Sequence, residues 1–414
     1  MFSVDDALNR ILPEFQPLPA ETVHLSAALG RVLAQPVIAP HDLPPFPNSG
    51  MDGYAVRAED TLSAAADAPV VLRVVGDIPA GTFPNFTLQA GEAARIMTGA
   101  PIPRGADAVV PHEQTDDRTF QFEGRSNPPP PEVSIMTAFK RGNSLRARGE
   151  DVRAGELILS AGRVLRAADL GVLAGLGISQ VAVTRRPRVA VISTGDELLP
   201  VDQPLSDGKI HDMNGYTLTA LATQLGAEAN YLGIAGDSLE DVLRLLDEAS
   251  AYDVILSSAG VSVGALDVVK TAVEMRGSLG FWKVNLRPGK PIAFGKVSGK
   301  PYFGLPGNPV SAMVTFDVFV RPALRKLLGI PSTAEAVEYA ELTEPITSDG
   351  RRTYVRVILT RREGKLFARS TGTQSSGAIS SLVYADGLLI LPEGVTKASI
   401  GEVFPVRVFR DGQP

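Results

Sequence analysis

Residues 189–198, Val189-Ala190-Val191-Ile192-Ser193-Thr194-Gly195-Asp196-Glu197-Leu198, join an apolar, largely β-branched run to a glycine turn carrying two acids. A short continuous apolar run bounded by such a turn reads as a strand buried on both faces. The chain then alternates. A helix is expected near 215–225, a strand at 229–235, a helix at 239–249, a strand at 253–258, a helix at 266–276, a strand at 301–305 and a long helix over about 309–328. Regular β/α alternation predicts a doubly wound parallel sheet with helices on both faces. Its ligand site should lie beyond the carboxyl ends of the strands.

Four of those strand ends carry polar or glycine-rich loops: Ser193-Thr194-Gly195-Asp196-Glu197, Gly236-Asp237-Ser238, Ser257-Ser258-Ala259-Gly260-Val261-Ser262-Val263-Gly264 and Gly304-Leu305-Pro306-Gly307-Asn308-Pro309. Glycines allow backbone N–H groups to approach an anion closely, and helices beginning near Ala265 and Pro309 aim their positive ends the same way. Each loop alone is ordinary turn chemistry; four together predict one phosphate pocket. Glu197, Asp237 and Asp267 at these ends would repel a bare phosphate, so a phosphate ester bridged by Mg²⁺ is the consistent ligand. The nearby stretch Phe281-Trp282-Lys283-Val284-Asn285-Leu286-Arg287-Pro288-Gly289-Lys290-Pro291 sets three cations among two stiffening prolines, which suits an oxyanion.

Upstream, Ser3 followed by Asp6, with Val4, Ala7, Leu8, Ile11 and Leu12 at helical spacing, predicts a capped amphipathic helix over residues 1–13 that stops at Pro13 and docks its apolar face. A second short helix is expected at 26–34, followed by a proline-rich connection from Pro36 to Pro47. Residues 48–138 alternate like strands, at Val70–Val75, Ala93–Met97 and Asp107–Gln114, and predict a small β-rich domain ending in the run Pro128 to Pro131. Asp52 sits among the turn formers of Asn48-Ser49-Gly50-Met51-Asp52-Gly53-Tyr54, and Thr98 ends a strand in Arg95-Ile96-Met97-Thr98-Gly99. Arg148-Gly149-Glu150-Asp151 is a further acidic loop. If the β domain is an insertion, residues 14–47 and 139–183 make one discontinuous domain. Beyond 184–330, residues 331–414 return to strands at 337–343, 353–361, 365–370, 387–391 and 403–409, a small barrel or sandwich.

The 414 residues are too many for one ordinary core, at about one domain per 150 residues. A formal charge of −6 with 44% hydrophobic residues describes a globular protein and argues against nucleic acid as partner. Cysteine is absent, which excludes disulfides, thiolate metal sites and thiol nucleophiles. His24, His41, His112 and His211 show neither zinc spacing nor a serine triad. No apolar run reaches the roughly 18 residues of a spanning helix, and the first ten residues lack a signal peptide's pattern, so a cytoplasmic location is expected. The basic run Arg351, Arg352, Arg356, Arg361, Arg362, Lys365 and Arg369 reads as a solvated strand face, with Arg351 placed to reach an anion.

In unbroken order from about residue 40 to 380, Asn48-Ser49-x-Met51-Asp52-Gly53-Tyr54-Ala55, Met97-Thr98-Gly99-Ala100, Arg148-Gly149-Glu150-Asp151, Ser193-Thr194-Gly195-Asp196-Glu197-Leu198, Gly260-Val261-Ser262-Val263-Gly264, Pro288-Gly289-Lys290-Pro291 and Gly304-Leu305-Pro306-Gly307-Asn308-Pro309 resemble the MoeA/gephyrin family. The resemblance implies an inserted β domain, an elongated linker domain, a Mog-like α/β domain, a C-terminal β-barrel, and a homodimer with its active site at the subunit interface. It implies Mg²⁺-dependent insertion of molybdate into adenylylated molybdopterin with release of AMP. It also implies a Mog-type adenylyltransferase and molybdoenzyme apoproteins as partners. Carried over by position, Asp52, Thr98, Asp151, Glu197, Asp237, Asp267, Lys283 and Arg287 form the catalytic set. Gly195, Ser258, Gly260, Ser262, Gly264, Lys290, Pro306, Gly307, Asn308, Pro309, Arg351, Ser375 and Ser376 form the binding set. Two positions depart from the family: Arg287 replaces a lysine and Ala259 a glycine. A molybdopterin adenylyltransferase would resemble the α/β region alone, which residues 1–183 and 331–414 argue against. A gephyrin-like scaffold would bring a long linker and a second Mog-like domain, which the sequence lacks.

Overall fold

A computed structural model describes residues 2–117, 120, 128–258, 266–331 and 337–409, and does not extend to the side chains of Leu266, Asp267, Phe281 and Trp282. The chain forms two compact units. One holds Met1–Gln35, Ala161–Arg166 and Gln180–Pro414; the other holds Pro36–Ser160 and Ala167–Ser179.

In the first unit a six-stranded sheet runs in the order Glu228–Ala235, Arg188–Thr194, Val254–Ser258, Lys300–Leu305, Pro291–Val297, Gly277–Lys283. The first four strands are parallel. The last two are antiparallel additions, so the sheet is mixed where a purely parallel one was expected. Glycines at 277, 280 and 295 interrupt the apolar pattern of these two strands, so no strand was expected at either. The parallel part follows from strand geometry: successive side chains point to opposite faces. Val189 and Val191 join Leu218, Leu221 and Val310 in one core. Ala190 and Ile192 join Val242, Leu245, Val269 and Val273 in the other.

Helix Val4–Ile11 begins where the Ser3 hydroxyl accepts from the Asp6 N–H at 3.0 Å. Val4, Ala7, Ile11 and Phe15 are buried in the same core as Val284, Leu286 and Phe303, each large side chain contributing about 1.5–3 kcal/mol. The expected docking is therefore onto the α/β core. The expected helix at 26–34 is a single 3-10 turn, Leu25–Ala27; Gly30 takes φ +72°, and Val32 and Leu33 make extended bridges to Val164 and Val183. The long C-terminal helix is Pro309–Thr315, a π turn Phe316–Val320 and Arg321–Leu327. The π turn lies just before Pro322, whose missing N–H removes one bond of the ladder.

The C-terminal strands Glu338–Leu342, Arg352–Arg362, Lys365–Ser370, Gly387–Leu391 and Val403–Val408 close on themselves as a barrel. Val355, Val357, Ala368, Leu389 and Val406 fill it.

In the second unit a five-stranded sheet is ordered Ala108–Pro111, Gly53–Val56, Glu92–Ile96, Val70–Ile78, Glu132–Ile135, inside the segment expected to be β-rich. Contacts divide the expected linker segments between the units: residues 36–47, 139–160 and 167–179 cluster with this sheet, and the remainder with the first unit. No helix among the described residues is long and apolar enough to cross a membrane.

Candidate functional site

The carboxyl ends of the parallel strands open into a cavity of about 480 Å³ lined by Glu197, His211, Asp212, Asn214, Ser258, Pro291, Gly307, Asn308, Pro309 and Ser311 among others. Glu197 reaches it because Gly195, at φ +139°, turns the chain sharply after Thr194. A Cβ on Gly195 would lie 2.4 Å from the Glu197 Oε2, so glycine is required both for the turn and for the carboxylate's place. The Gly304–Pro309 loop follows directly from strand Lys300–Leu305, and Pro309 opens a helix at its first position, where no N–H is needed.

Asp212 is buried and accepts from the Tyr231 hydroxyl at 2.6 Å and from the backbone N–H of Asn214 at 2.9 Å. Burial first, and then the Asp212 carboxylate, pushes the Tyr231 phenol up, which keeps it a proton donor.

A second cavity of about 530 Å³ shares Pro291, Asn308 and Ser311 with the first. Four cations line it, Arg287, Lys290, Arg351 and Arg356, and among the described residues no carboxylate does. Gly289, at φ +113°, lets the Pro288–Lys290 turn lie against the helix below, where a Cβ would meet the Thr315 Oγ1 at 2.4 Å. Arg351 is held by Asp349 and donates to the Leu286 carbonyl at 2.9 Å; Arg287 reaches the same carboxylate at 3.8 Å. Arg351 beside Asp349 holds that carboxyl below its ordinary value.

Arg356 differs from the other three. It is 1% exposed, and it donates to the Ser381 hydroxyl at 3.1 Å and the Ser375 carbonyl at 3.1 Å. Among the described residues it has no carboxylate within ion-pair distance. Burial, and then the Arg287 charge, lowers its guanidinium to about 10, so it remains protonated near neutral pH. A buried cation without an anion is costly unless something negative completes it. Gln374 holds the Arg356 backbone from both sides: the Arg356 backbone N–H donates to Gln374 Oε1 at 3.0 Å, and Gln374 Nε2 donates to the Arg356 carbonyl at 3.1 Å. Ser375 and Ser376 complete this wall, and Val310 N–H donates to the Ser376 carbonyl at 3.1 Å.

Of the residues expected from the sequence, Glu197, Ser258, Pro306, Gly307, Asn308 and Pro309 line the first cavity, and Arg287, Lys290, Asn308, Arg351, Ser375 and Ser376 the second. Gly195 lines neither cavity; its turn at φ +139° sets the Glu197 carboxylate close beside it. Asp237 lines neither cavity: its N–H donates to Asp196 Oδ1 at 3.0 Å, and neighbouring Ser238 caps helix Leu239–Ala249. Lys283 is exposed at the end of strand Gly277–Lys283 and also lines neither. Ala259, Gly260, Ser262 and Gly264 lie outside the described residues, as does the Asp267 side chain. In the second unit, Asp52 Oδ1 accepts from the Thr98 N–H at 2.6 Å and from its hydroxyl at 2.8 Å, so these two residues form one polar corner. Asp151 is exposed there, its N–H donating to the Leu43 carbonyl at 3.1 Å. The reading of Arg356 as part of a solvated strand face is corrected by its burial. Tyr354 and Arg356 alternate with Val355 and Val357, which face the barrel interior, so an arginine inside the apolar run Tyr354-Val355-Arg356-Val357-Ile358 was the available signal. Asp212 and Asn214 also escaped the sequence reading.

Among the described residues no three His, Asp or Glu side chains converge on one point. Mg²⁺ is characteristically held by one or two carboxylates together with substrate phosphate oxygens, and an exposed carboxylate at the mouth of a cavity, as Glu197 is, fits that mode.

Residues 2–177 match the MoeA N-terminal region (domain I and II), 190–326 the probable molybdopterin binding domain, and 339–409 the MoeA C-terminal region (domain IV). Molybdopterin molybdenumtransferase 2 of Mycobacterium tuberculosis is 42% identical over 388 residues, covering 92% of this chain and 93% of the relative. The chain belongs to the MoeA family. The molybdopterin molybdenumtransferase of Nostoc sp. is likewise 42% identical, over 97% of this chain and 92% of the relative. The crystal structure of the molybdopterin biosynthesis MoeA protein from Pyrococcus horikoshii OT3 superposes with a TM-score of 0.81 at 30% identity, covering 99% of this chain and 100% of that one. MoeA membership places the chain among enzymes of molybdenum cofactor biosynthesis and favours a transferase over an adenylyltransferase or a scaffold, since the matches run on either side of the α/β region.

Proposed function

We propose that this chain catalyses insertion of molybdate into adenylylated molybdopterin, with Mg²⁺ and with release of AMP. The observation that supports it most is the pairing of a carboxylate-bearing cavity with a cationic one across the shared residues Pro291, Asn308 and Ser311, the cationic side built around buried Arg356. Phosphate chemistry with a divalent ion needs the first; a tetrahedral oxyanion needs the second.

In this reading Arg356, Lys290 and Arg287 hold molybdate, and Ser375 and Ser376 lie on the same wall. Arg351 is committed to Asp349 and stiffens the rim. Glu197 supplies a carboxylate to Mg²⁺, which when bound neutralises the phosphate oxygens. A water oxygen adds to phosphorus, the phosphoanhydride P–O bond breaks and AMP leaves; the pterin dithiol then takes molybdenum as its two S–H protons depart with one molybdate oxygen as water. The cations offset the negative charge that builds on the leaving phosphate. No nucleophilic side chain is required; the protein contributes position and electrostatics. The chain works as a cytoplasmic homodimer that takes its substrate from a Mog-type adenylyltransferase and passes the product to apoenzymes. This assembly is part of the proposal.

The test incubates purified protein with adenylylated molybdopterin, molybdate and Mg²⁺ and follows AMP. Molybdate-dependent AMP release is expected. If none appears while molybdopterin and ATP give adenylylated pterin, the adenylyltransferase reading replaces this one.

A further inference from the structure

Asn214 is the first residue of helix Asn214–Gln224, it is 8% exposed, and it lines the first cavity. Its side-chain nitrogen donates to the Ser258 Oγ at 2.6 Å and to the Gly307 carbonyl at 2.7 Å, so both amide hydrogens are used. These acceptors belong to different walls of the cavity. Ser258 ends strand Val254–Ser258, and Gly307 lies in the loop after strand Lys300–Leu305. The ladder between the two strands ends at Ser258 and Leu305. Beyond it, the Asn214 amide links the diverging chains where they frame the cavity.

The amide is itself held rigidly. Asp212 is 4% exposed; its Oδ1 accepts from the Asn214 and Gly215 N–H groups at 2.9 and 3.2 Å, and its Oδ2 accepts from the Tyr231 hydroxyl at 2.6 Å. The Asp212 N–H donates to the Leu199 carbonyl at 3.0 Å, and Ile210 N–H to the Glu197 carbonyl at 2.8 Å. One continuous bracket therefore runs from Glu197 through Asp212 and Asn214 to Ser258 and Gly307. We propose that Asn214 is a positioning residue that sets the spacing of the Ser258 and Gly307 walls, and thereby the binding of the adenylylated pterin. This rests on the functional reading above. Asparagine is needed because the Gly307 carbonyl can only accept. Aspartate has the same shape but sets an oxygen against that carbonyl.

The test compares Asn214→Asp and Asn214→Ala with the wild-type chain in two measurements. In the AMP-release assay, KM for adenylylated molybdopterin is expected to rise about tenfold in both variants, with kcat and the KM for molybdate within about twofold, the signature of lost ground-state binding. In hydrogen exchange of the protein without substrate, the peptides containing Ser257–Ser258 and Gly307–Asn308 should exchange faster in both variants, while those of the barrel keep wild-type rates. An unchanged KM, or a fall in kcat alone, overturns the proposal even if the variants are less heat-stable, because a merely structural role predicts that result. If the wild-type chain itself releases no AMP, the functional reading fails, and hydrogen exchange decides the bracket separately: wild-type exchange at both peptides refutes it.

Discussion

Replacing Arg356 by methionine should weaken oxyanion binding severely while leaving the fold nearly as stable as before. The guanidinium is 1% exposed and lowered to about 10 by burial and by Arg287. A fall of that size corresponds to roughly 3 kcal/mol of cost for keeping the charge in the folded chain. Against it stand its bonds to Ser381 Oγ and the Ser375 carbonyl, each contributing about 0.5–1.5 kcal/mol net, more where the donor is charged. Methionine removes both sets of terms and fills much of the same space with a flexible apolar chain. The stability change should therefore fall within about 2 kcal/mol of zero. Function behaves oppositely, since the cost of the buried cation is offset when an anion binds. Wild-type chain in molybdate at about 100 times Kd should gain roughly 2.7 kcal/mol of stability. The variant should gain almost none.

The assay is thermal unfolding across a molybdate titration, run beside AMP release. Arg356→Lys is the companion variant: its compact ammonium keeps the charge but cannot reproduce the planar fork, so it should recover part of the response. A methionine variant that loses more than about 4 kcal/mol would make Arg356 a structural strut. One that keeps the full molybdate response would remove it from the oxyanion site. The sign with pH is also determined. For a base lowered in the folded state, the folded chain releases its proton first as pH rises, so stability increases as pH climbs past about 10. Below about 9 Arg356 is protonated in both states and adds no pH dependence to molybdate binding.

Two further substitutions probe the site and its support. Gly195→Ala should push the Glu197 carboxylate out of its place and, at φ +139°, add backbone strain of about 1 kcal/mol or more, so AMP release should fall at least tenfold in a chain that still folds; unchanged kcat/KM would remove Glu197 from the chemistry. Asp5 is lowered by its bond to Arg352, so the stability it contributes is present above its unfolded value near 4 and is lost as pH falls through the folded value. Because Asp5 is 65% exposed, solvent screens the pair, and Asp5→Asn should flatten the acid limb of the stability profile by less than about 1 kcal/mol; a larger change would mean that the pair is the main brace of the first helix.

What the sequence revealed and what it hid separate along a physical line. The strand Arg188–Thr194 and the helices after it were legible because local periodicity and burial agree, as they do for the barrel strands from Glu338 to Val408. Glu197, Asn308 and Lys290 were legible because a strand end or a glycine-proline turn announces them before any contact is known. Strands Gly277–Lys283 and Pro291–Val297 were not, since their ladders compensate for a local preference that three glycines weaken. Arg356 and Asn214 lie still further from local signals. An arginine is ordinarily solvated and an asparagine at a helix start ordinarily caps; only the packing of the barrel strand against the α/β core buries the first. Only the spacing between strand Val254–Ser258 and the Gly304–Pro309 loop gives the second its two acceptors. Residues that bind through their own loop are thus readable one segment at a time, whereas residues that hold segments together become visible only when both segments are in place. The charge balance of the cationic cavity belongs to the second class. Seven basic residues from Arg351 to Arg369 look equivalent in order, yet Asp5 takes Arg352, Glu338 takes Arg361 and Asp349 takes Arg351. Arg356 is the buried guanidinium in this run with no acid among the described residues, and that remainder is what makes an oxyanion its natural partner.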